Sequence, residues 1–224
     1  MSSLYERKWE EFSKRVRLFR FVPFTDFVMA SGSLATGKIK EDSDFDVLVG
    51  VRYGRIFTNR FFAHLIFGLF GYRRPGHGHD GDVKDKICLN HFVTPASYKE
   101  DPPYSQYVKD LYQNLVPVIG DEDLIRYFFE ANDDWMEPKR IYKKDERFLG
   151  EGRSWFKSFL EFLLGGYLGD ILEKRLKSWQ KTRAEGGLPD IMPEGARFVC
   201  TDEELEFHID AKMVYSKWES RQNS

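Results

Sequence analysis

Cysteine is scarce: Cys88 and Cys200 are the only two in 224 residues, too far apart to suggest a disulfide framework or a zinc ligand set. A reduced, cytoplasmic setting is therefore expected. Excess charge of either sign is lacking too, since 34 lysines and arginines face 36 acids for a net charge of −2. That balance gives no indication of a generally basic nucleic-acid-binding surface, while local patches stay open. Uninterrupted apolar runs long enough to span a bilayer, roughly 20 residues, are missing as well. Phe61–Phe70 is too short, and Phe156–Leu172 is interrupted by Lys157, Glu161 and Asp170. Both read as helices buried in a water-soluble core. The first residues, Met1 to Lys8, have neither the apolar core nor the cleavage site of a secretory leader, so no export is expected.

What is present is an alternation of helix and strand signals. Leu4, Trp9, Phe12, Val16 and Phe19 recur amid charges, which predicts an amphipathic helix packed on a sheet and ended before Pro23. Phe24–Met29 and Asp44–Val51 read as strands, and Ile56–Phe70 as a strongly apolar helix closed by Gly71. A third strand is expected over Lys86–Thr94, a helix over Tyr104–Leu115 and another beginning after Asp121 as its cap. Asn132–Gly152 is polar, which places a domain boundary there: 1–135 as one domain and 136–224 as a mainly helical C-terminal region. In that region a long helix is expected over Ser154–Arg183, with an apolar stripe suited to a protein partner or to internal packing. A short strand follows at Arg197–Thr201, then a helix or extended tail over Glu203–Trp218.

The chemistry concentrates between the first two strands. The small-residue turn Ala30-Ser31-Gly32-Ser33 lets backbone N–H groups approach an anion, and a helix starting near Ser33 would favour a phosphate. Ten residues later the second strand opens with Asp44-Phe45-Asp46, whose alternation puts both carboxylates on one face. Paired carboxylates suit one or two Mg²⁺ ions, a hard cation that binds through one or two carboxylates plus substrate phosphates. The cations near enough in sequence to serve a triphosphate are Lys38, Lys40, Arg52, Arg55, Arg73 and Arg74. His77, His79, Asp80 and Asp82 invite a metal reading, but their glycine-rich setting gives no rigid cage and fits a surface loop better.

The constellation Gly32-Ser33, ten residues, Asp44-Phe45-Asp46 resembles the signature of the DNA polymerase β-like nucleotidyltransferase superfamily. Ser31 stands where that signature prefers a hydrophobic residue, and Ser43-Asp44-Phe45-Asp46 is similar to the form found in small bacterial members. The wider order of elements, with a Cys-Leu-containing strand after a basic loop, carries the likeness over the first 135 residues. The resemblance implies an α+β fold, a nucleotidyltransferase-type mixed sheet flanked by helices. It also implies Mg²⁺-dependent transfer (Mn²⁺ as a substitute) of a nucleoside monophosphate from a nucleoside triphosphate to a hydroxyl or phosphate acceptor. Asp44 and Asp46 would be the catalytic metal ligands, and Gly32, Ser33 and Ser43 would bind the nucleotide. Many active members carry a third carboxylate on a later strand. Here Asp85 just before the third strand and Asn90 within it are the alternatives. The acceptor, whether a protein, an RNA or a small molecule, is not encoded in any motif. Two other readings stay open: a catalytically weak nucleotide-binding or regulatory module, and the nucleotidyltransferase partner of a toxin–antitoxin or defence pair.

Overall fold

The computed structural model describes residues 2–75, 82–102, 104–186, 188 and 197–208. Helix α1, Leu4–Val16, starts in a reciprocal cap: Glu6 N–H donates to Ser3 Oγ, and Ser3 N–H donates to Glu6 Oε2. It buries Trp9, Phe12 and Val16 against the sheet, then tightens into a 3₁₀ turn over Arg17–Phe21. Each such buried side chain contributes about 1.5–3 kcal/mol. Phe12→Ala, at a fully enclosed position, would cost about 3–5 kcal/mol through the cavity it leaves.

Strand β1, Thr25–Ala30, leads into the single turn α2, Gly32–Ala35, and β2 follows at Phe45–Val51. Helix α3, Ile56–Leu69, connects to β3, Ile87–Val93. Then come α4, Gln106–Asn114, β4, Val116–Gly120, and α5, Glu122–Ala131. Asp121 caps α5 as expected, accepting from the N–H groups of Asp123 and Leu124. Helices α6, Trp155–Leu164, and α7, Tyr167–Glu185, precede β5, Arg197–Cys200, and β6, Glu204–His208.

The described strands form one open mixed sheet in the order β4-β1-β2-β3-β6-β5, in which only β2 and β3 run parallel. Alternation along β2 sends Phe45, Val47 and Val49 into a core with α1 and α3, while Leu48 joins Phe27, Met29, Tyr112 and Phe128 on the other face. The architecture is thus α+β, with seven helices among the described residues.

Two expectations change. The long helix over Ser154–Arg183 is two helices, because the chain turns at Gly165-Gly166, and a Cβ on Gly169 would fall 1.7 Å from Leu164 O. The short strand expected at Arg197–Thr201 forms as β5, and together with β6 it extends the central sheet, with Leu176, Leu205 and Phe207 joining the α1–α3 core. The stretch expected as a last helix or tail begins as β6, with positions 209–224 outside the described residues. Helix α7 also completes α3. The Glu173 carboxylate accepts from Phe57 N–H at 2.9 Å and Thr58 N–H at 2.8 Å, capping α3 from more than a hundred positions away. Burial first of all raises the pKa of Glu173, and those hydrogen bonds partly oppose it.

Candidate functional site

Backbone pairing builds the site around the start of β2. Ala30 pairs with Val47, and Ser31 N–H donates to Asp46 O at 3.0 Å, so the β1–α2 turn lies directly against the second carboxylate. Gly32 has φ +62°, and a Cβ there would sit 2.1 Å from Asp46 Oδ2. Only glycine meets both conditions. Ser33 is buried at the base of α2. That helix is a single turn, because Gly37, directly after its C-cap Thr36, takes the left-handed φ of +71° that ends a helix. Its dipole is correspondingly small, and the N–H groups of the turn are its main asset.

Asp44 and Asp46 project to one face, as their spacing requires, and meet Cys88, the residue paired with Asp46 across the parallel β2–β3 ladder. One ligand atom from each of the three lies within 4.8 Å of the others. Asp44 is buried; Asp46 is partly exposed. The Arg74 guanidinium donates to Asp44 Oδ2 at 2.8 Å and lies 3.4 Å from Cys88 Sγ. It is placed there by backbone bonds that run residues 72–74 alongside the start of β3, Ile87 N–H to Tyr72 O and Arg74 N–H to Ile87 O. Burial, then Asp46 and Asp44, push the Cys88 thiol well above its usual pKa, so it stays protonated. Tyr107, on α4, faces the same group: burial, then Asp46 and Glu206, raise its phenol.

The donor set fits a hard divalent cation. Two carboxylates against a glycine turn leave coordination positions for phosphate oxygens or water, and ligand atoms opposite each other on Mg²⁺ stand about 4.2 Å apart. The protonated thiol of Cys88 adds no ligand for such an ion.

The two candidates for a third ligand lie elsewhere. Asp85 is held by Lys8 of α1, Nζ to Oδ1 at 2.6 Å, with side chains 4% and 18% exposed for Lys8 and Asp85. Its backbone is fixed as well, by Asp85 N–H to Ser43 O and by Arg15 donating to Asp85 O. Asn90 is diverted by a bulge in β3: Asp46 pairs with Cys88 but Leu48 pairs with His91, so Leu89 and Asn90 together span the place opposite Val47. Both line a pocket beneath α3 instead. Ser43 closes a turn, its Oγ accepting from Lys40 N–H at 3.0 Å. Of the six cations nominated by sequence, Arg74 reaches the carboxylates. Lys38 and Lys40 are exposed. Arg52 and Arg55 sit beyond the far end of β2, paired with Glu161 and Asp170, and Arg73 donates to His64. His77, His79 and Asp80 lie outside the described residues, and Asp82 is exposed.

Sequence reasoning missed a second polar cluster, assembled by β6 pairing with β3. His91 Nε2 lies 3.5 Å from Glu204 Oε1, and Arg197 bonds Glu206 and Glu100, each at 2.5 Å. Burial disfavours the His91 imidazolium, yet Glu206 and Glu204 outweigh it and raise its pKa. Arg197, Glu204 and Glu206 meet within the β5–β6 hairpin, but no local signal joins His91 and Glu100 to them, since β3 must first pair with β6.

The fold and site thus define an α+β protein with a carboxylate pair and a glycine turn at the head of a central strand. No family model, curated protein or solved structure matches the chain. Among the described residues, no helix is long and apolar enough to cross a membrane.

Proposed function

We propose that this protein is a Mg²⁺-dependent nucleotidyltransferase of the polymerase β-like superfamily, moving a nucleoside monophosphate from a nucleoside triphosphate to a hydroxyl or phosphate acceptor. The observation that carries the reading is the contact of Gly32 with Asp46: a turn that exposes backbone N–H groups is pressed against the carboxylate pair, where a metal-bound triphosphate would need both. Asp44 and Asp46 hold the ion. The Gly32-Ser33 backbone orients the phosphates, and Arg74, already at Asp44, lends a guanidinium for their charge. Bound Mg²⁺ would polarise the α-phosphate and steady the departing pyrophosphate. Positioning and charge then account for most of the rate.

Cys88 favours a second reading. It occupies the place beside Asp46 where a third carboxylate would complete the ligand set, and a neutral thiol there fits a nucleotide-binding or regulatory module of weak activity. The outer face of α6 and the start of α7 expose Trp155, Phe159, Phe162 and Tyr167, which supports a protein partner and so the paired toxin–antitoxin or defence role. Free thiols at Cys88 and Cys200 support a reducing, cytoplasmic setting.

The test is incubation with each α-labelled nucleoside triphosphate and Mg²⁺ or Mn²⁺, with and without cell extract. Label transfer that disappears in Asp44→Asn supports the transferase. Metal-dependent nucleotide binding without turnover in any extract selects the binding module, and no nucleotide binding at all removes both.

A further inference from the structure

Beneath α3, on the side of the sheet away from the carboxylate pair, a pocket of about 730 Å³ opens between α3, α7, β3 and the β5–β6 hairpin. Its size falls within the roughly 300–1,000 Å³ typical of small-molecule sites. Its charge is one-sided: Arg60, Arg73, Arg74 and Arg183 line it, and none of its described lining residues is acidic. Arg74 is already matched by Asp44. The others have no carboxylate partner among the described residues. Arg60 donates to the neutral Gln180 Oε1 at 2.8 Å and lies over the Phe207 ring, while its Nε is buried with no hydrogen-bond partner among the described residues. Arg73 donates to His64, and Arg183 lies 6.0 Å from the Trp179 ring. The one acid near the end of α7, Glu185, pairs with Lys181. An enclosed guanidinium that meets an amide and an aromatic face, and no carboxylate among the described residues, is costly to keep, and nearby cations add to the cost. Burial, with some repulsion from Arg73, lowers the Arg60 pKa to about 10. Burial, Arg60 and Arg73 likewise hold His64 neutral.

We infer that this pocket binds a phosphorylated small molecule, its phosphate taken by Arg60, Arg73 and Arg183 and its body laid against Phe61, Trp179 and Phe198. Three guanidiniums call for a dianion rather than a monoanion, and their planar forks match phosphate oxygens. The aromatic and leucine wall suits a flat or apolar body, and the volume encloses one molecule rather than a polymer. This inference does not rest on nucleotidyl transfer, because the residues that carry it lie on the opposite face from Asp46.

The full chain, in EDTA so that no metal occupies the carboxylate site, is titrated calorimetrically with inorganic phosphate, adenosine 5′-monophosphate and adenosine. Thermal unfolding is followed in parallel. Phosphate and the monophosphate should bind and raise the melting temperature, and adenosine should bind far more weakly. Arg60→Met should weaken binding of both phosphorylated probes about tenfold or more, with a melting temperature in their absence equal to the parent's or higher. The rim variants Arg73→Met and Arg183→Met should weaken binding without touching the fold, and Asp44→Asn, which releases Arg74 at the pocket's edge, should bind no more weakly than the parent. Absence of phosphate binding overturns the inference, as does binding that survives the three arginine variants or is lost in Asp44→Asn.

Discussion

Neutralising Asp85 should unfold the protein more readily without changing metal binding at the proposed carboxylate site. The Lys8 ammonium is enclosed to 4% exposure, and its partners are Asp85 Oδ1 and Glu41 O, both at 2.6 Å. Removing one member of a buried pair costs about 3–5 kcal/mol. Asp85→Asn keeps an acceptor and an Asx side chain for the left-handed φ of +60°, and Lys8 keeps the Glu41 carbonyl, so the expected loss is nearer 2–3 kcal/mol. For a chain of this size that corresponds to a melting temperature lower by about 5–10 °C. Asp85→Ala gives up the acceptor and the left-handed preference together and should lose about 1 kcal/mol more. Lys8→Met combined with Asp85→Asn leaves no uncompensated charge and should return to within about 1 kcal/mol of the parent. Urea unfolding monitored by circular dichroism measures all four proteins, and Mn²⁺ titration of the folded variants reads the site. If Asp85→Asn unfolds within about 0.5 kcal/mol of the parent, or if the double variant is less stable than Asp85→Asn alone, the pair is not what holds α1 to the β3 approach.

Gly32→Ala should lose about 1–2 kcal/mol to its left-handed backbone alone, plus a clash with Asp46 that Asp46→Ala relieves; a double-mutant cycle in thermal unfolding that shows simple additivity would count against the contact. Asp26, pushed up to about 6 mainly by burial, binds its proton more tightly in the native state than in the unfolded one. Its contribution is therefore full below about pH 4 and declines as the pH rises through 6. Asp26→Asn should gain about 1–2 kcal/mol at pH 7 relative to pH 4, and parallel stability–pH curves for the two proteins would refute the assignment. Glu173→Ala should uncap α3 and leave two N–H groups and the Thr58 hydroxyl in the interior without their acceptor, costing about 2–4 kcal/mol. Native-state hydrogen exchange at Phe57 and Thr58 should accelerate in that variant, and unchanged protection there would show that the cap is dispensable.

Local pattern carried the strands well. Phe45, Val47 and Val49 alternate with Asp44 and Asp46, so both the core face and the shared carboxylate face of β2 follow from a period of two. The turn at Gly32 was legible from its small residues, although the need for glycine comes from Asp46, which sequence places fourteen positions away and pairing brings to 2.1 Å from a would-be Cβ. What escaped were features set by partners remote in the chain. Lys8 has the look of a solvated helix charge until α1 docks and buries it on Asp85. The bulge that turns Asn90 away from the carboxylates depends on how β3 registers with β2. Arg60 looks like an ordinary helix-surface cation until α7 and the β5–β6 hairpin enclose it.

Pairing of β3 with β6 joins positions 91 and 206, which sets an order on the ribosome. At cellular synthesis rates β6 is translated on the order of ten seconds after β3. Throughout that interval β3 presents a bare hydrogen-bonding edge, and α3 waits for its cap from Glu173. The nascent chain is then a half-built sheet with a sticky border, open to pairing with a neighbour on the same message. A growing chain of this design gains from a chaperone that shields one strand edge until the hairpin arrives, and premature termination inside α7 would release a product prone to aggregate rather than a smaller working protein.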